Sequence, residues 1–226
     1  MVINAPSLAN IPLTDFGQQL GELYKGGIRF FHIDLMDGHY VKNLCFPVSV
    51  VRDVKELYPD VTVEVHMMVD NPIDYIETLK TYGADYVAFH IDSTSFVCRT
   101  ITTIKAAGMK AGVALNPSQR IDIIEPYAHL IDYCVFMGVE PGFAGQSFLP
   151  DSEKRLVELA EFRKEHNCEF QILVDGGVTN EIAEESVKHG ADILVTGVFI
   201  TFRQDCGIVE ACQRFEKRMV KLQSEF

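Results

Sequence analysis

The chain contains no cysteine pair with C-x-x-C spacing. Its six cysteines, Cys45, Cys98, Cys134, Cys168, Cys206 and Cys212, are scattered, and several sit in apolar strand-like runs such as Asp132-Tyr133-Cys134-Val135-Phe136. This usage reads as reduced thiols serving as small hydrophobes in a cytosolic setting. Positive charge is also scarce: Lys and Arg total 20 against 32 for Asp and Glu, a net charge of −12. That balance argues against nucleic acid and anionic membranes as partners, because their phosphates would be repelled. It leaves room for a small phosphorylated molecule, which local backbone donors can hold against an adverse field. No run approaches the ~20 apolar residues of a membrane span, and no basic stretch leads into an apolar one, so a soluble, cytoplasmic protein is expected. Also missing are a linker, a low-complexity stretch or a charge block, so residues 1–226 are expected to form one domain.

What the chain does have is alternation. Short β-branched or aromatic runs recur at Val2–Leu8, Arg29–Leu35, Thr62–Val69, Tyr86–Ile91, Lys110–Leu115, Tyr133–Met137, Phe170–Val174 and Ile193–Thr196. Amphipathic stretches lie between them, including Asp15–Lys25, Val48–Tyr58, Pro72–Tyr82 and Asp151–His166. Glycines mark the helix-to-strand junctions, and Gly83-Ala84-Asp85 is echoed by Gly190-Ala191-Asp192. Eight strand–helix units imply a parallel sheet and favour a closed (β/α)8 TIM barrel over an open doubly wound sheet. The open alternative also expects Gly-x-Gly-x-x-Gly after the first strand, where this chain has Ala5-Pro6-Ser7-Leu8.

In such a barrel the working groups lie at the C-terminal strand ends. The second strand places His32 and Asp34 on one face, with Phe31, Ile33 and Leu35 on the other for helices to cover. The third ends with His66 in inward parity, and the seventh stops at Asp175. Unpaired burial of four such groups would cost several kcal/mol each, so a shared ion is the economical reading. Two nitrogen and two oxygen donors suit Zn2+, Fe2+, Mn2+ or Co2+ better than Mg2+ or Ca2+. Glu64 shares the inward parity one layer deeper and reads as a charge neutralised inside the barrel. His90 ends the fourth strand as a candidate neighbour of the ligands, whereas His39, His129, His166 and His189 read as solvated. Met67 and Met109 read as ordinary core.

Glycine marks three strand-end loops: Gly138 to Ser147 after the sixth strand, Gly176-Gly177 after the seventh and Gly197-Val198 after the eighth. Loops after strands seven and eight commonly hold phosphate in barrels. The sixth loop carries glycine near both ends, as a lid with flexible ends would. A metal-free phosphate barrel working through lysine has less support, since Lys110 lies at the start of its strand.

Six motifs then appear in order along nearly the whole chain. They are Ala5-Pro6-Ser7, His32-Ile33-Asp34-Leu35-Met36-Asp37-Gly38-His39-Tyr40-Val41, His66-Met67-Met68, Leu115-Asn116-Pro117, Pro141-Gly142-Phe143-Ala144-Gly145-Gln146-Ser147-Phe148 and Val174-Asp175-Gly176-Gly177. Together they resemble the ribulose-phosphate 3-epimerase family, whose fold is a ribulose-phosphate-binding TIM barrel. The resemblance implies one divalent ion per subunit, Zn2+ by preference, with His32, Asp34, His66 and Asp175 as ligands and no organic cofactor. It implies Asp34 and Asp175 as the acid–base pair that inverts C3 of a ketose phosphate through a metal-stabilised enediolate. Ser7 and His66 look like substrate contacts, and Met36, Met68 and Met137 like a thioether wall. Gly142, Phe143, Ala144, Gly145, Gly176, Gly177, Gly197 and Val198 match the substrate and phosphate loops. The implied reaction is D-ribulose 5-phosphate to D-xylulose 5-phosphate in the pentose phosphate pathway, by a dimer or hexamer. Lys42 and Ala144 are closer to the related allulose-6-phosphate 3-epimerases, which makes D-allulose 6-phosphate to D-fructose 6-phosphate the alternative. Where the family usually has Gly-Ser after the eighth strand, this chain has Gly197-Val198 and so lacks a hydroxyl.

Overall fold

A computed structural model describes residues 2–202 and 204–225. Among these residues nine strands form one sheet: β1 Ile3–Pro6, β2 Phe30–Asp37, β3 Leu44–Cys45, β4 Thr62–Met68, β5 Tyr86–His90, β6 Lys110–Leu115, β7 Tyr133–Met137, β8 Gln171–Asp175 and β9 Ile193–Thr196. The spatial order is β1-β9-β8-β7-β6-β5-β4-β2-β3. Eight of these strands are parallel and correspond to the eight expected from alternation. A parallel bridge between Ser7 and His32 joins the end of β1 to β2 and curls the sheet into the barrel. The ninth, β3, is a two-residue antiparallel flap beside Met36 and Asp37, too short to leave a periodic signal.

Helices α1 Phe16–Lys25, α2 Val50–Leu57, α3 Ile76–Tyr82, α4 Val97–Ala106, α5 Ser152–Glu165, α6 Asn180–Lys188 and α7 Ile208–Gln223 cover the outside. After β6 the chain forms a 3-10 segment, Ile121–Tyr127, instead of an α-helix. Pro126 within it lacks the N–H that an α-helical ladder would use. The expected helix Pro72–Tyr82 likewise begins as a 3-10 turn, Pro72–Tyr75, before α3. No helix among the described residues is long and apolar enough to cross a membrane.

Strand alternation separates two cores. Phe31, Ile33 and Leu35 join Met67 and Met109 in the layer between sheet and helices. The opposite faces supply the barrel interior, including Ala5, Phe30, Ala88, Ala114, Val135 and Leu173. Gly112 leaves room there for the Tyr133 ring, since a Cβ would stand 2.5 Å from its Cζ.

The repeated Gly-Ala-Asp junction has a shared geometry at the barrel base. Asp85 Oδ2 accepts from Val63 N at 2.8 Å and from Lys55 Nζ at 2.9 Å. Asp192 Oδ2 accepts from Ile172 N at 2.8 Å and from Arg163 Nη1 at 2.6 Å. Each aspartate caps the first free N–H of a neighbouring strand and draws in a cation from an adjacent helix. Asp132 does the same for Ala111 N at 2.8 Å. Buried N–H groups require such partners, so these carboxylates fix the strand register from below.

All six cysteines are unpaired. Cys134 and Cys212 are buried as expected, whereas Cys98 is exposed. Of the histidines expected to be solvated, His39 and His129 are exposed. His166 is half-buried and stacks on Phe162 with ring centroids 4.0 Å apart. His189, also half-buried, meets Glu153 at 3.2 Å.

Candidate functional site

The inward faces of three strands deliver four side chains to one point. His32 and Asp34 stand two residues apart on β2, His66 lies opposite Asp34 in the β2–β4 register, and Asp175 ends β8. Both histidines are fully buried, and the aspartates are 8% and 9% exposed. His32 Nε2 lies 3.3 Å from Asp34 Oδ1 and 3.6 Å from Asp175 Oδ2. His66 Nδ1 lies 3.8 Å from Asp34 Oδ1 and 3.2 Å from Asp175 Oδ2.

These donors fit one small divalent ion. Four ligands about 2.0–2.2 Å from a tetrahedral metal stand roughly 3.3 Å from each other, and the four atoms here all lie within 4.8 Å of one another. His66 Nδ1 is buried and, although Asp175 Oδ2 stands 3.2 Å away, makes no hydrogen bond among the described residues, as a nitrogen kept free for a metal would be. The local field also calls for positive charge. Burial opposes a charged His32, but Glu64, Asp34 and Asp175 carry its pKa well above the ordinary value. Burial also opposes ionisation of Asp34, yet His32, His66 and the Ser7 hydroxyl together hold its carboxyl down at about 2.

The remaining nitrogen of each histidine faces a polar neighbour, although His32 Nδ1 and Glu64 Oε2 do not meet in hydrogen-bond geometry. His32 Nδ1 meets Glu64 Oε2 at 2.5 Å, and Tyr133 donates its hydroxyl to Glu64 Oε1 at 3.0 Å. Glu64 is thus neutralised inside the barrel, as expected, but its partner is a member of the cluster. Tyr133 gave no signal of this role, because its aromatic character suits a strand core equally well. His66 Nε2 meets His90 Nε2 at 2.9 Å. Burial, and then proximity to His66, push His90 well below the usual histidine range.

A cleft opens above the cluster. Ser7, Asp34 and Asp175 reach its floor, and Met36, Met68 and Met137 form one wall. Gly142 to Gly145, Gly176-Gly177 and Gly197-Val198 form its rim, so the cleft gathers all the expected loop residues. His66 is the exception among the expected substrate contacts: it does not line the cleft and is fully buried within the cluster. Sequence reasoning passed over Asn10, Val139 and Phe199, which also line it.

The glycine pair serves packing as well as approach. Gly177 has φ +71°, and a Cβ there would stand 2.3 Å from Phe148 N. The loop after β7 folds tightly over the loop after β8, and glycine is what lets them touch. That β7 loop is tied down: Gln146 Nε2 donates to Glu140 O at 2.7 Å and Phe143 O at 2.9 Å, and Asn43 Nδ2 donates to Gly142 O at 2.8 Å. Among the described residues, the N–H groups of Gly177, Val178, Val198 and Phe199 meet no acceptor. They line the cleft and can receive an anion.

Comparison with known proteins agrees with this architecture. The model of the ribulose-phosphate 3 epimerase family matches residues 3–201. The ribulose-phosphate 3-epimerase of Methanocaldococcus jannaschii is 38% identical over 200 residues, covering 87% of this chain and 84% of that protein. That of Aquifex aeolicus is 34% identical over 197 residues, covering 87% and 88%. Among solved structures, 3-hexulose-6-phosphate synthase from Salmonella typhimurium superposes with a TM-score of 0.73 at 15% identity, covering 98% of this chain and 100% of that one. KGPDC from Streptococcus mutans gives a TM-score of 0.72 at 13% identity, covering 98% of this chain and 99% of that one. At such identities these two show the fold alone, a TIM barrel. With a family match along most of its length and relatives above 30% identity, the chain belongs to the ribulose-phosphate 3-epimerase family, isomerases that act on sugar phosphates.

Proposed function

We propose that the cleft epimerises C3 of D-ribulose 5-phosphate, giving D-xylulose 5-phosphate, with Asp34 and Asp175 as the acid–base pair. The observation that carries this reading is the convergence of two carboxylates from β2 and β8 on one cleft floor. Inversion needs a proton removed from one face of C3 and returned to the other. Carboxylates from separate strands can flank a flat enediolate for that purpose. One aspartate, ionised, takes the C3 proton while the other, protonated, delivers its own, and the roles exchange with direction.

Ser7 donates to Asp34 Oδ2 at 2.7 Å, which orients that carboxylate and favours its ionised form. His32, Asp34, His66 and Asp175 would hold one divalent ion, with Zn2+ the first choice for this donor set. When bound, such an ion supplies Lewis-acid stabilisation to negative charge developing beside the substrate carbonyl. Met36, Met68 and Met137 line the reacting end with polarisable apolar surface that offers no competing proton. The free N–H groups of Gly177, Val178, Val198 and Phe199 seat the phosphate at the opposite end.

The test measures turnover of D-ribulose 5-phosphate and D-allulose 6-phosphate side by side, and exchange of the C3 hydrogen with deuterium from heavy water by NMR. Faster turnover of the ribulose ester is expected. Asp34→Asn and Asp175→Asn are expected to abolish turnover while leaving the fold intact. Near-normal turnover in either variant would remove the two-carboxylate scheme.

A further inference from the structure

The metal centre leaves one logical problem, which is how His66 keeps a lone pair on Nδ1. A neutral imidazole carries a proton on one nitrogen, and a carboxylate 3.2 Å from Nδ1 invites the proton to that side. The other nitrogen, Nε2, faces His90 Nε2 at 2.9 Å, and both rings are fully buried. A contact of that length holds a single proton, so the tautomer of each ring dictates that of the other.

The residues behind His90 settle which tautomer is favoured. Asn116 spends its amide N–H groups on the Tyr40 hydroxyl oxygen at 2.7 Å and Asp92 Oδ2 at 3.2 Å. Tyr40 in turn donates to Asp92 Oδ1 at 2.8 Å, so its hydroxyl must accept from Asn116. The Asn116 amide therefore has a fixed orientation, with Oδ1 on the side away from Tyr40 and Asp92. Asn116 Oδ1 and His90 Nδ1 are both buried, and neither makes a hydrogen bond among the described residues. The Tyr40 ring, whose hydroxyl accepts from Asn116, covers His90 with centroids 4.7 Å apart, and Asn116 acts on His90 in the direction that raises its pKa. A proton on His90 Nδ1 satisfies both orphaned atoms at once. His90 Nε2 is then an acceptor, His66 carries its proton on Nε2, and His66 Nδ1 is free.

We propose that Asp92, Tyr40, Asn116 and His90 form a relay that sets the tautomer of His66 and aims its Nδ1 lone pair into the metal centre. His90 is a positioning residue and touches no substrate. The inference rests on reading His32, Asp34, His66 and Asp175 as a metal centre. It deepens that reading by assigning four residues that hold no metal themselves.

The experiment uses the full chain and Zn2+ as the probe, with affinity measured by chelator competition for wild type, His90→Leu and His90→Gln. Loss of a ligand's hydrogen-bond partner typically weakens metal binding about 10- to 100-fold, and that loss is expected for His90→Leu. His90→Gln offers a side-chain carbonyl oxygen as acceptor and is expected to recover most of the affinity, which a purely structural defect would not allow. In the zinc-loaded wild type, 15N NMR of the histidine rings is expected to find protons on His66 Nε2 and His90 Nδ1. Undiminished zinc affinity in His90→Leu, or a proton on His90 Nε2 in the loaded protein, overturns the relay alone. Failure of the wild type to take up zinc overturns the metal reading and the relay together.

Discussion

Ser7 and Asp34, 27 residues apart in sequence, meet through a 2.7 Å hydrogen bond at the seam that joins β1 to β2. The serine hydroxyl takes Asp34 Oδ2, leaving Oδ1 to face His32 and His66. Each carboxylate oxygen thus has its own task, and the closure of the barrel is what makes the division possible.

Removing that hydroxyl has a pH signature. Asp34 sits at about 2 in the folded protein, below its ordinary value of 3.8. A depressed carboxylate contributes stability above its unfolded value, and that stability is lost as pH falls through the folded one. Hydrogen bonds to charged groups are worth about 1.5–3 kcal/mol, so Ser7→Ala is expected to destabilise the metal-free protein by about that amount near neutrality. The gap between variant and wild type is expected to narrow as pH drops from about 4 toward about 2, where Asp34 becomes protonated in both. Urea unfolding across that range measures it. A gap that stays constant or widens would mean that the hydroxyl does not act through the carboxylate.

How much of this was legible beforehand follows from what periodicity encodes. Alternation along β2 and β4 was enough to put His32, Asp34, His66 and Glu64 on the inward face, because parity is a local property of a strand. Asp175 was visible as a carboxylate ending an apolar run. Contacts across the barrel were not visible. Glu64 reaches His32 on the adjacent strand and Tyr133 on β7, a pairing that depends on closure and on the space left by Gly112. His90 stood out only as a histidine at a strand end, since its link to His66 depends on the β4–β5 register. Gly176 and Gly177 read as phosphate-loop glycines, whereas the fold also needs them to pass Val139 and Phe148. The flap β3 and the 3-10 segment at Ile121–Tyr127 escaped because two residues carry no period and Pro126 breaks a helical one.

The Glu64 charge is a second point of leverage. With Oε2 on His32 Nδ1 and Oε1 accepting from Tyr133, this carboxylate makes the imidazole a stronger donor at Nε2. Glu64→Gln keeps the shape and offers hydrogen-bonding groups to both neighbours, so it tests the charge itself. Zinc affinity is expected to fall about 10- to 100-fold, and Tyr133→Phe, which leaves the charge in place, is expected to cost less. Chelator competition on both variants decides the matter. Equal affinity in Glu64→Gln and wild type would show that the charge does not reach the centre.

Val198 gives the most direct handle on the phosphate end. It follows Gly197 at the end of β9, lines the cleft, and its backbone N–H has no acceptor among the described residues. On the proposed phosphate seat, a hydroxyl in place of this apolar side chain would give the anion one further donor. Val198→Ser removes two methyl groups from a half-exposed position and is expected to leave the fold undisturbed. A single added hydrogen bond worth about 1 kcal/mol corresponds to roughly a fivefold gain in binding. In the proposed pose phosphate is remote from the reacting carbon, so the gain is expected to be uniform between ground and transition states, with KM falling and kcat constant. Inorganic phosphate, which carries only the recognised group, is expected to inhibit the variant more strongly by the same factor. Steady-state kinetics with D-ribulose 5-phosphate and phosphate inhibition constants measure both effects. A KM that is unchanged or raised, together with unaltered phosphate inhibition, would move the phosphate seat away from the β9 loop and toward the Gly176-Gly177 turn.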